Sequence, residues 1–351
     1  MWGNIAIAFL LAFIVSFVAT PYTIKIANKI GAVDVPKDKR RMHTKAMPKF
    51  GGPAVILGVL VSMIYLIAVM SIEGSLDLFS TQQYGKKLLG VLLGVIVIAI
   101  TGTLDDIKTL KPWQELLGQT IAAIIVVAFG TKIEHLDIPF LYKIGFNETF
   151  SIIVTIIWIV GVTNAINLID GLDGLSGGIS SIYYLTIGII ATMQGKHGLD
   201  FVLTFVMLGS TLGFLVHNFN PAKIFAGDSG SNFMGFIIAV IALLGFKNVT
   251  LTSFIIPILL LAIPILDTLF AILRRLINHK PLGEPDKNHL HHQLLRLKLS
   301  QKKTVIIIYI VDLLFASASI VYAVGNSMLG SNIYGMVIYA ILFVFITNIK
   351  N

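Results

Sequence analysis

Long apolar runs, separated by short polar loops, dominate the pattern of this sequence. A helix that crosses a bilayer needs about 20 mainly apolar residues, and about eleven stretches meet this requirement. They cover residues 4–24, 51–71, 87–104, 114–130, 150–169, 175–194, 200–217, 230–246, 251–273, 304–324 and 331–349. We predict an all-α, polytopic integral membrane protein in which residues 1–351 form a single domain. We expect the first run to be a retained helix rather than a signal peptide.

Composition agrees with this prediction. Only 13% of the residues are charged and 56% are hydrophobic, whereas soluble domains are about 25% charged. The chain has no cysteine, which excludes disulfides, thiolate metal sites and cysteine nucleophiles. The net charge of +8 is concentrated in loops, so it indicates membrane orientation and anionic substrates rather than nucleic acid.

Basic residues also predict the orientation. The loops on one side and the C-terminal tail hold 20 of the 26 lysines and arginines, and the opposite loops hold six. The positive-inside rule puts the richer side in the cytoplasm. We therefore expect a multi-pass protein of the cell (plasma) membrane, with its N-terminus outside and its C-terminus cytoplasmic.

The most informative stretch follows the apolar run that ends at Val162. Four side chains that bind cations or nucleotides occur there at three-residue steps, at Asn164, Asn167, Asp170 and Asp173. Such steps predict one face of a helix. Carboxylates at the end of a membrane helix are costly unless a cation or polar ligand meets them, and Gly171 and Gly174 allow a turn. The alternative is a solvated helix end with an ordinary turn.

Four other polar segments fall on the same predicted face, which favours one active site. The pair Asp105-Asp106 suits a cation or a shared proton, although such pairs are also common by chance. Residues 225–232 predict a helix capped by Asp228 or Ser229, with N–H groups open to a phosphate; an ordinary cap is the alternative. The basic loop 39–52 suits phosphate or merely sets topology.

The fourth segment is the histidine tract at 289–292. Three of its four residues are histidines, which indicates sugar or phosphate recognition near neutral pH, with adventitious metal binding as the alternative. Asp267 lies in an otherwise apolar predicted span and is a further functional candidate. Oxygen and amide ligands without cysteine favour Mg²⁺, with Mn²⁺ possible. The residues alone thus predict phosphoryl transfer to a lipid phosphate.

Several of these pieces together resemble a known family, in the family's order, across about residues 20–300. They are Arg41-x-His43 with Pro48-x-x-Gly51-Gly52, Asp105-Asp106, Asn164-Ala-Ile-Asn167-Leu-Ile-Asp170-Gly-Leu-Asp173-Gly, Phe225-Ala-Gly227-Asp228-Ser-Gly230-Ser231 and His289-Leu-His291-His292. The chain resembles the polyprenyl-phosphate N-acetylhexosamine-1-phosphate transferases. The resemblance implies transfer of a sugar 1-phosphate from UDP-GlcNAc to undecaprenyl phosphate with release of UMP, which would initiate a surface glycopolymer.

The resemblance also implies roles for individual residues. Asp228 and Asn167 would bind Mg²⁺, and Asp105, Asp106 and Asp170 are the catalytic candidates. Asp105 would be the base, and Asp170 would be the nucleophile of a less favoured covalent route. The nucleotide would contact Asn164, Gly171, Leu172, Asp173 and Asn218. The sugar and phosphates would contact Lys45, Lys111, Arg274, Arg275, His289, His291 and His292. A homodimer is a family-level expectation.

The pattern His-x-His-His is similar to the bacterial GlcNAc-1-phosphate branch, whereas the muramoyl-pentapeptide branch has three consecutive histidines. One departure is Glu115, where this branch often has lysine; Lys111 would then compensate in holding phosphate. The alternatives are a phospho-N-acetylmuramoyl-pentapeptide transferase, a nucleotide-sugar or divalent-cation transporter, and an inactive scaffold. Transporters usually place ionisable groups near the bilayer midplane, which disfavours transport here.

Overall fold

The computed structural model describes residues 2–36, 46–73, 82–137, 143–195, 198–246, 255–281 and 289–324, with 329–330, 332–333 and 335–336. Its helices are α1 (Trp2–Ile30), α2 (Gly52–Ile72), α3 (Gln82–Lys108), α4 (Pro112–Ala128), α5 (Glu148–Leu168), α6 (Leu175–Met193), α7 (Leu199–Asn218), α8 (Gly227–Phe246), α9 (Ile255–Leu260), α10 (Ala262–Ile277), α11 (Leu290–Arg296) and α12 (Gln301–Val324).

Two small antiparallel hairpins accompany the helices. In the first, β1 (Val33–Asp34) pairs with β2 (Met47–Pro48), with Val33 opposite Pro48. In the second, β3 (His135–Asp137) pairs with β4 (Lys143–Gly145) between α4 and α5. They are loop features, and the helical class that the sequence predicts is confirmed.

Eight helices within the described ranges are long and apolar enough to cross a membrane. They are α1, α2, α3 from Gly85 onward, α5, α6, α7, α8 up to Gly245, and α12. Helix α4 coincides with the predicted span 114–130 but has only 17 residues. The prediction of a polytopic membrane protein is therefore confirmed.

The predicted ninth span, 251–273, is interrupted in the part that the structure describes, from Ile255 onward. The structure divides it into α9 and α10, with a break at Leu261. Pro264 has no N–H to donate to the carbonyl of Leu260 four residues earlier, so the helix is interrupted for one residue there, although Leu261 still donates to Pro257 at 3.1 Å and accepts from Ile265 at 2.9 Å. The predicted eleventh span, 331–349, falls almost entirely outside the described residues, as does Lys45.

Helix α8 lies at the centre of the bundle. Its residues 231–244 are all buried, and it packs against α2, α3, α5, α6 and α7. The approach to α5 is close because a Cβ on Gly235 would lie 2.9 Å from the Cα of Thr163. The N-terminus of α8 therefore lies in the middle of the face on which α1, α3, α5 and α7 end.

The outer helices expose apolar side chains, as a lipid-facing surface requires. On α1, Leu10, Ile14 and Val18 are each more than half exposed. The opposite side of α1 packs closely on α7, where a Cβ on Gly209 would lie 2.2 Å from the carbonyl oxygen of Phe9. Small residues that let membrane helices approach are typical of such contacts.

Candidate active site

The carboxylate of Asp106 caps helix α8 from the end of α3. Its Oδ1 accepts the backbone N–H of Asp228 at 2.8 Å, and its Oδ2 accepts the backbone N–H of Ser229 at 3.1 Å and the Ser229 hydroxyl at 2.5 Å. The sequence predicted that Asp228 or Ser229 would supply this cap. Instead, a carboxylate from another helix satisfies the exposed N–H groups of the first turn and complements the helix dipole.

Gly102 and Gly52 make this arrangement possible. A Cβ on Gly102 would lie 2.5 Å from the Cα of Ser229, and a Cβ on Gly52 would lie 2.4 Å from the backbone nitrogen of Gly230. Helices α3 and α2 therefore touch the backbone of α8 at its first turn. The two glycines fix the position of Asp228 relative to the neighbouring helices.

The first polar loop is joined to the segment before α8 by backbone hydrogen bonds. Phe225 donates its N–H to the carbonyl of Pro48 at 2.8 Å, and Gly51 donates to the carbonyl of Phe225 at 3.1 Å. Lys49 and Phe225 form a parallel bridge between these bonds. The pairing brings the side chain of Lys49 to Asp228, with Nζ 4.0 Å from Oδ2.

Three carboxylates converge beside this bridge. One oxygen each from Asp105, Glu115 and Asp228 lies within 4.8 Å of the other two. Asn167 donates its amide to Asp228 Oδ1 at 2.8 Å, so its amide oxygen is the atom that could serve a cation. Oxygen donors at these separations fit Mg²⁺ or Mn²⁺. The residues present therefore fit the divalent metal that the sequence predicts.

Glu115 is held in the cluster by an amide network. Its Oε1 accepts hydrogen bonds from Asn232 at 2.9 Å and from Gln119 at 3.3 Å, and Gln119 also donates to Asn232 at 3.1 Å. Asn164 donates to the side-chain oxygen of Gln119 and to the carbonyl of Val160. The structure thus places Asn164 behind the cluster, between α4, α5 and α8, and its predicted nucleotide contact stays a prediction.

The prediction that the three-residue steps continue along one helix is wrong. Helix α5 ends at Leu168, and Asp170 and Asp173 lie in the turn that leads to α6. Gly174, with φ of +80°, ends this turn in the left-handed region that glycine adopts readily. Only Asn164 and Asn167 lie on the helix.

Asp170 faces the carboxylate cluster from this turn. Its Oδ1 accepts the hydroxyl of Ser176 at 2.5 Å. Burial raises the pKa of Asp170 to about 7; the Ser176 hydrogen bond works against this increase, and the negative charges of Asp228 and Asp173 add to it. At neutral pH the carboxyl of Asp170 is therefore divided between its protonated and its ionised form.

Two predicted nucleotide ligands tie loops together. Asp173 Oδ2 accepts hydrogen bonds from the Asn220 side chain at 2.8 Å and from the backbone N–H of Ala222 at 3.0 Å. Asn218, which is 1% exposed, donates to the carbonyl of Ile224 at 2.8 Å. The bonds of Asp173 hold the segment between α7 and α8 against the turn that follows α5, and the bond of Asn218 ties the end of α7 to that same segment.

Leu172, a third predicted nucleotide ligand, has its side chain in the hydrophobic core at 4% exposure. Only its backbone remains to contact a ligand. Gly171 is exposed on the same turn. The nucleotide contacts predicted for these residues stay predictions.

Asp267 organises the histidine segment. Its Oδ2 lies 2.8 Å from Nδ1 of His289, and its Oδ1 accepts the backbone N–H of Leu290 at 2.8 Å. Both side chains of this pair are buried, since Asp267 is 4% and His289 is 5% exposed. The buried carboxylate that the sequence indicated therefore positions the first histidine.

His291 contacts the Asp170–Asp173 turn. A Cβ on Gly171 would lie 2.6 Å from its Nε2, so a larger residue at this position would force the ring to shift. Burial lowers the pKa of His291 to about 3, and the neighbouring charge of His292 acts in the same direction. His291 is therefore a neutral ring at pH 7, able to donate one hydrogen bond. The ring of His292 lies 4.3 Å from that of His291, centroid to centroid.

The predicted basic ligands lie at the edges of this face. Lys111 is exposed at the start of α4, and Arg274 and Arg275 are half-exposed in the last turn of α10. Sequence reasoning offered the whole basic loop 39–52 for phosphate without singling out Lys49, and it treated Glu115 only as a departure. The signal for Lys49 was its place two residues before the glycine pair that opens α2.

The chain is similar to known proteins along most of its length. The profile of Glycosyl transferase family 4 matches residues 88–246. The chain is 39% identical to the probable undecaprenyl-phosphate N-acetylglucosaminyl 1-phosphate transferase of Bacillus subtilis, over 91% of this chain and 85% of that protein. This chain belongs to the polyprenyl-phosphate N-acetylhexosamine-1-phosphate transferase family.

Other members of this transferase family show similar coverage. The decaprenyl-phosphate N-acetylglucosaminephosphotransferase of Mycobacterium tuberculosis is 33% identical over 88% of this chain and 80% of its own length. The undecaprenyl-phosphate alpha-N-acetylglucosaminyl 1-phosphate transferase of Haemophilus influenzae is 30% identical over 90% and 85%. The family membership that the sequence motifs predicted is therefore confirmed.

Proposed function

We propose that this protein transfers N-acetylglucosamine 1-phosphate from UDP-GlcNAc to undecaprenyl phosphate, giving undecaprenyl-diphospho-GlcNAc and UMP. The observation that carries the proposal is the convergence of Asp105, Glu115 and Asp228 on one point, in a chain similar to transferases named for this lipid and sugar. Such a carboxylate cluster suits a substrate that brings phosphates and a divalent cation together.

The bond changes are those of a phosphoryl transfer. An oxygen of the lipid phosphate attacks the β-phosphorus of UDP-GlcNAc, and the bond from that phosphorus to the bridging oxygen breaks. UMP leaves with the bridging oxygen and its electron pair. A phosphate monoester has its second pKa near 6, so the lipid phosphate is largely a dianion at pH 7. Asp105 would accept the proton from the fraction that is still protonated.

We favour direct attack over a covalent route through Asp170. A nucleophilic carboxylate must be ionised, whereas the carboxyl of Asp170, with its pKa raised to about 7, is only partly ionised at neutral pH. Its hydrogen bond to Ser176 also engages one of its oxygens. Asp170 would instead help to set the charge and shape of the turn between α5 and α6, which would face the substrate.

Asp228 and Asn167 would hold Mg²⁺, with Asp105 and Glu115 as the further oxygen donors in reach. When bound, the ion would offset the charge that develops on the transferred phosphoryl group. Asp106 keeps Asp228 in place through the first turn of α8. Neutral His291 beside Gly171 would donate a hydrogen bond to the sugar or its phosphate.

The same proposal includes the finer topology. Eleven spans, an outside N-terminus and a cytoplasmic C-terminus would put the site at the cytoplasmic face of the plasma membrane. The charge distribution of the loops supports this orientation. UDP-GlcNAc would then reach the site from the cytoplasm, and the lipid phosphate would enter from the bilayer.

The test is UMP release by the purified protein with Mg²⁺ and undecaprenyl phosphate. UDP-GlcNAc and UDP-MurNAc-pentapeptide would be compared at equal concentration. We expect UMP only with UDP-GlcNAc. Release with the pentapeptide alone would move the protein to the other branch. Transport of UDP-GlcNAc into liposomes without UMP release would refute the enzymatic function.

A further inference from the structure

Lys49 is fixed at the edge of the carboxylate cluster. Its backbone N–H donates to the carbonyl of Ala32 at 2.9 Å, and the residue pairs with Phe225 in the parallel bridge. The preceding residue is held too, because the carbonyl of Pro48 accepts the N–H of Phe225. The side chain is about 20% exposed. Lysines that only set topology usually lie on freely exposed surface, and this one does not.

The ammonium of Lys49 has no hydrogen bond to its acidic neighbour. Nζ lies 4.0 Å from Asp228 Oδ2, beyond the distance of a hydrogen bond. An ammonium has three donors, and a partly solvated pair of this length contributes little to stability. Its charge also acts on Asp105 and Asp106. The group is therefore positioned by its backbone rather than by the ion pair.

A cation at this position suits an anion that binds in front of the carboxylates. Three carboxylates repel a phosphate, and a bound divalent ion offsets part of that repulsion. A fixed ammonium next to Asp228 would reduce it further and offer donors to the phosphate oxygens, as lysines at phosphate sites do. The backbone bridge holds the lysine stem in place before the ligand arrives.

We propose that Lys49 binds a phosphate group in the reaction, either in the diphosphate of the nucleotide sugar or in the monoester of the lipid. This inference rests on the proposed function, since both phosphates are its substrates. The two phosphates would be bound by the same charged hydrogen bonds, and steady-state kinetics with each substrate varied in turn distinguish them. The conservative residue at this position is arginine, which keeps the charge and the donors.

The experiment compares wild type with Lys49→Gln and Lys49→Arg in UMP release. Each substrate is varied while the other is saturating. Loss of a charged hydrogen bond predicts that K49Q loses about 10- to 100-fold in kcat/KM, with K49R retaining most of the activity. An increased KM for UDP-GlcNAc would assign Lys49 to the nucleotide diphosphate, and an increased KM for undecaprenyl phosphate would assign it to the lipid phosphate.

Lys25→Gln is the matched control, because Lys25 lies on the last turns of α1, over the ring of Tyr22 and outside the cluster. Like Lys49→Gln, the Lys25→Gln variant removes one positive charge from the predicted cytoplasmic face. Melting temperatures in detergent show whether each variant is folded. Values of K49Q within twofold of wild type for both substrates would overturn the inference.

Binding measurements separate this inference from the proposed function. UDP and undecaprenyl phosphate are titrated into wild type and K49Q by calorimetry, with Mg²⁺ and with EDTA. Weaker binding of either ligand to K49Q would support the phosphate contact even if wild type released no UMP from UDP-GlcNAc. Equal binding of both ligands to the two proteins would refute it, whatever the reaction proves to be.

Discussion

Asp106 and Ser229 are joined by two hydrogen bonds, one from the Ser229 backbone N–H and one from its hydroxyl, both to Oδ2 of Asp106. Asp106 is 2% exposed, and its other oxygen accepts the N–H of Asp228. Both carboxylate oxygens are thus engaged in shaping the first turn of α8. The two adjacent aspartates have different roles: Asp106 positions helix α8, and Asp105 contributes a carboxylate to the cluster.

Asp106→Asn should therefore lower stability. The amide would turn one donor toward the N-terminal N–H groups of α8, leaving a buried donor unsatisfied, at a cost of about 1–3 kcal/mol. We expect a lower melting temperature in detergent and a higher Mg²⁺ concentration for half-maximal UMP release, because Asp228 shifts. Asp105→Asn is the control and should lose turnover with little change in melting. A wild-type melting temperature for D106N would contradict the capping role.

Glu115→Gln should raise the Mg²⁺ requirement without unfolding the protein. Glutamine can still accept the hydrogen bond from Asn232, so the amide network should persist. One of the three cluster carboxylates would be lost, and we expect about a 10- to 100-fold weaker apparent Mg²⁺ affinity. The measurement is UMP release against Mg²⁺ concentration. Asp228→Ala should abolish release altogether. An unchanged Mg²⁺ dependence of E115Q would exclude Glu115 from the metal site.

The raised pKa of Asp170 predicts that the stability of the metal-free protein depends on pH. Its folded pKa of about 7 lies above the ordinary value near 3.9, so the folded state binds the extra proton between these values. This contribution to stability is present below about pH 4 and is lost as the pH rises to about 7. Asp170→Asn does not titrate. We expect it to melt above wild type at pH 8, by about 2–4 °C or more, and this difference should narrow at pH 5. A difference independent of pH would contradict the raised pKa.

His291→Gln should alter use of the sugar nucleotide without changing the shape of the pH profile. The pKa of His291 is lowered to about 3, so the ring stays neutral between pH 5.5 and 8. We expect an increased KM for UDP-GlcNAc, an unchanged KM for undecaprenyl phosphate, and a ratio of wild-type to variant kcat/KM that is constant over this range. A ratio that changes near pH 6.5 would show that His291 titrates there.

The helical membrane fold followed from the sequence because apolar run length is set by bilayer thickness. The convergence of the polar segments also followed from the sequence, since the positive-inside rule put their loops on the same face of the membrane. The break near Leu261 needed the local effect of Pro264, which a count of apolar residues ignores. Charge and hydropathy thus predicted the membrane helices and their orientation, whereas the break at Leu261 depends on the missing N–H of Pro264.

The direction of individual polar side chains could not be predicted. Three-residue steps suggested one helical face for Asn164, Asn167, Asp170 and Asp173, yet α5 ends at Leu168. Asp173 accepts the N–H of Ala222, a tertiary contact with no local signature, and Asn218 donates to the carbonyl of Ile224 six residues later. Lys49 looked like one base among many in a basic loop until its pairing with Phe225 was seen.

That pairing has a consequence for the order in which the protein is made. Lys49 precedes the second helix and Phe225 precedes the eighth, so the strand-like contact cannot form until most of the chain has left the ribosome and entered the bilayer. A partly synthesised chain would have neither the complete carboxylate cluster nor the pairing that places Lys49 beside it. Two separately expressed pieces, divided in the segment between α6 and α7, would each be inert and would gain activity only on meeting in the same membrane.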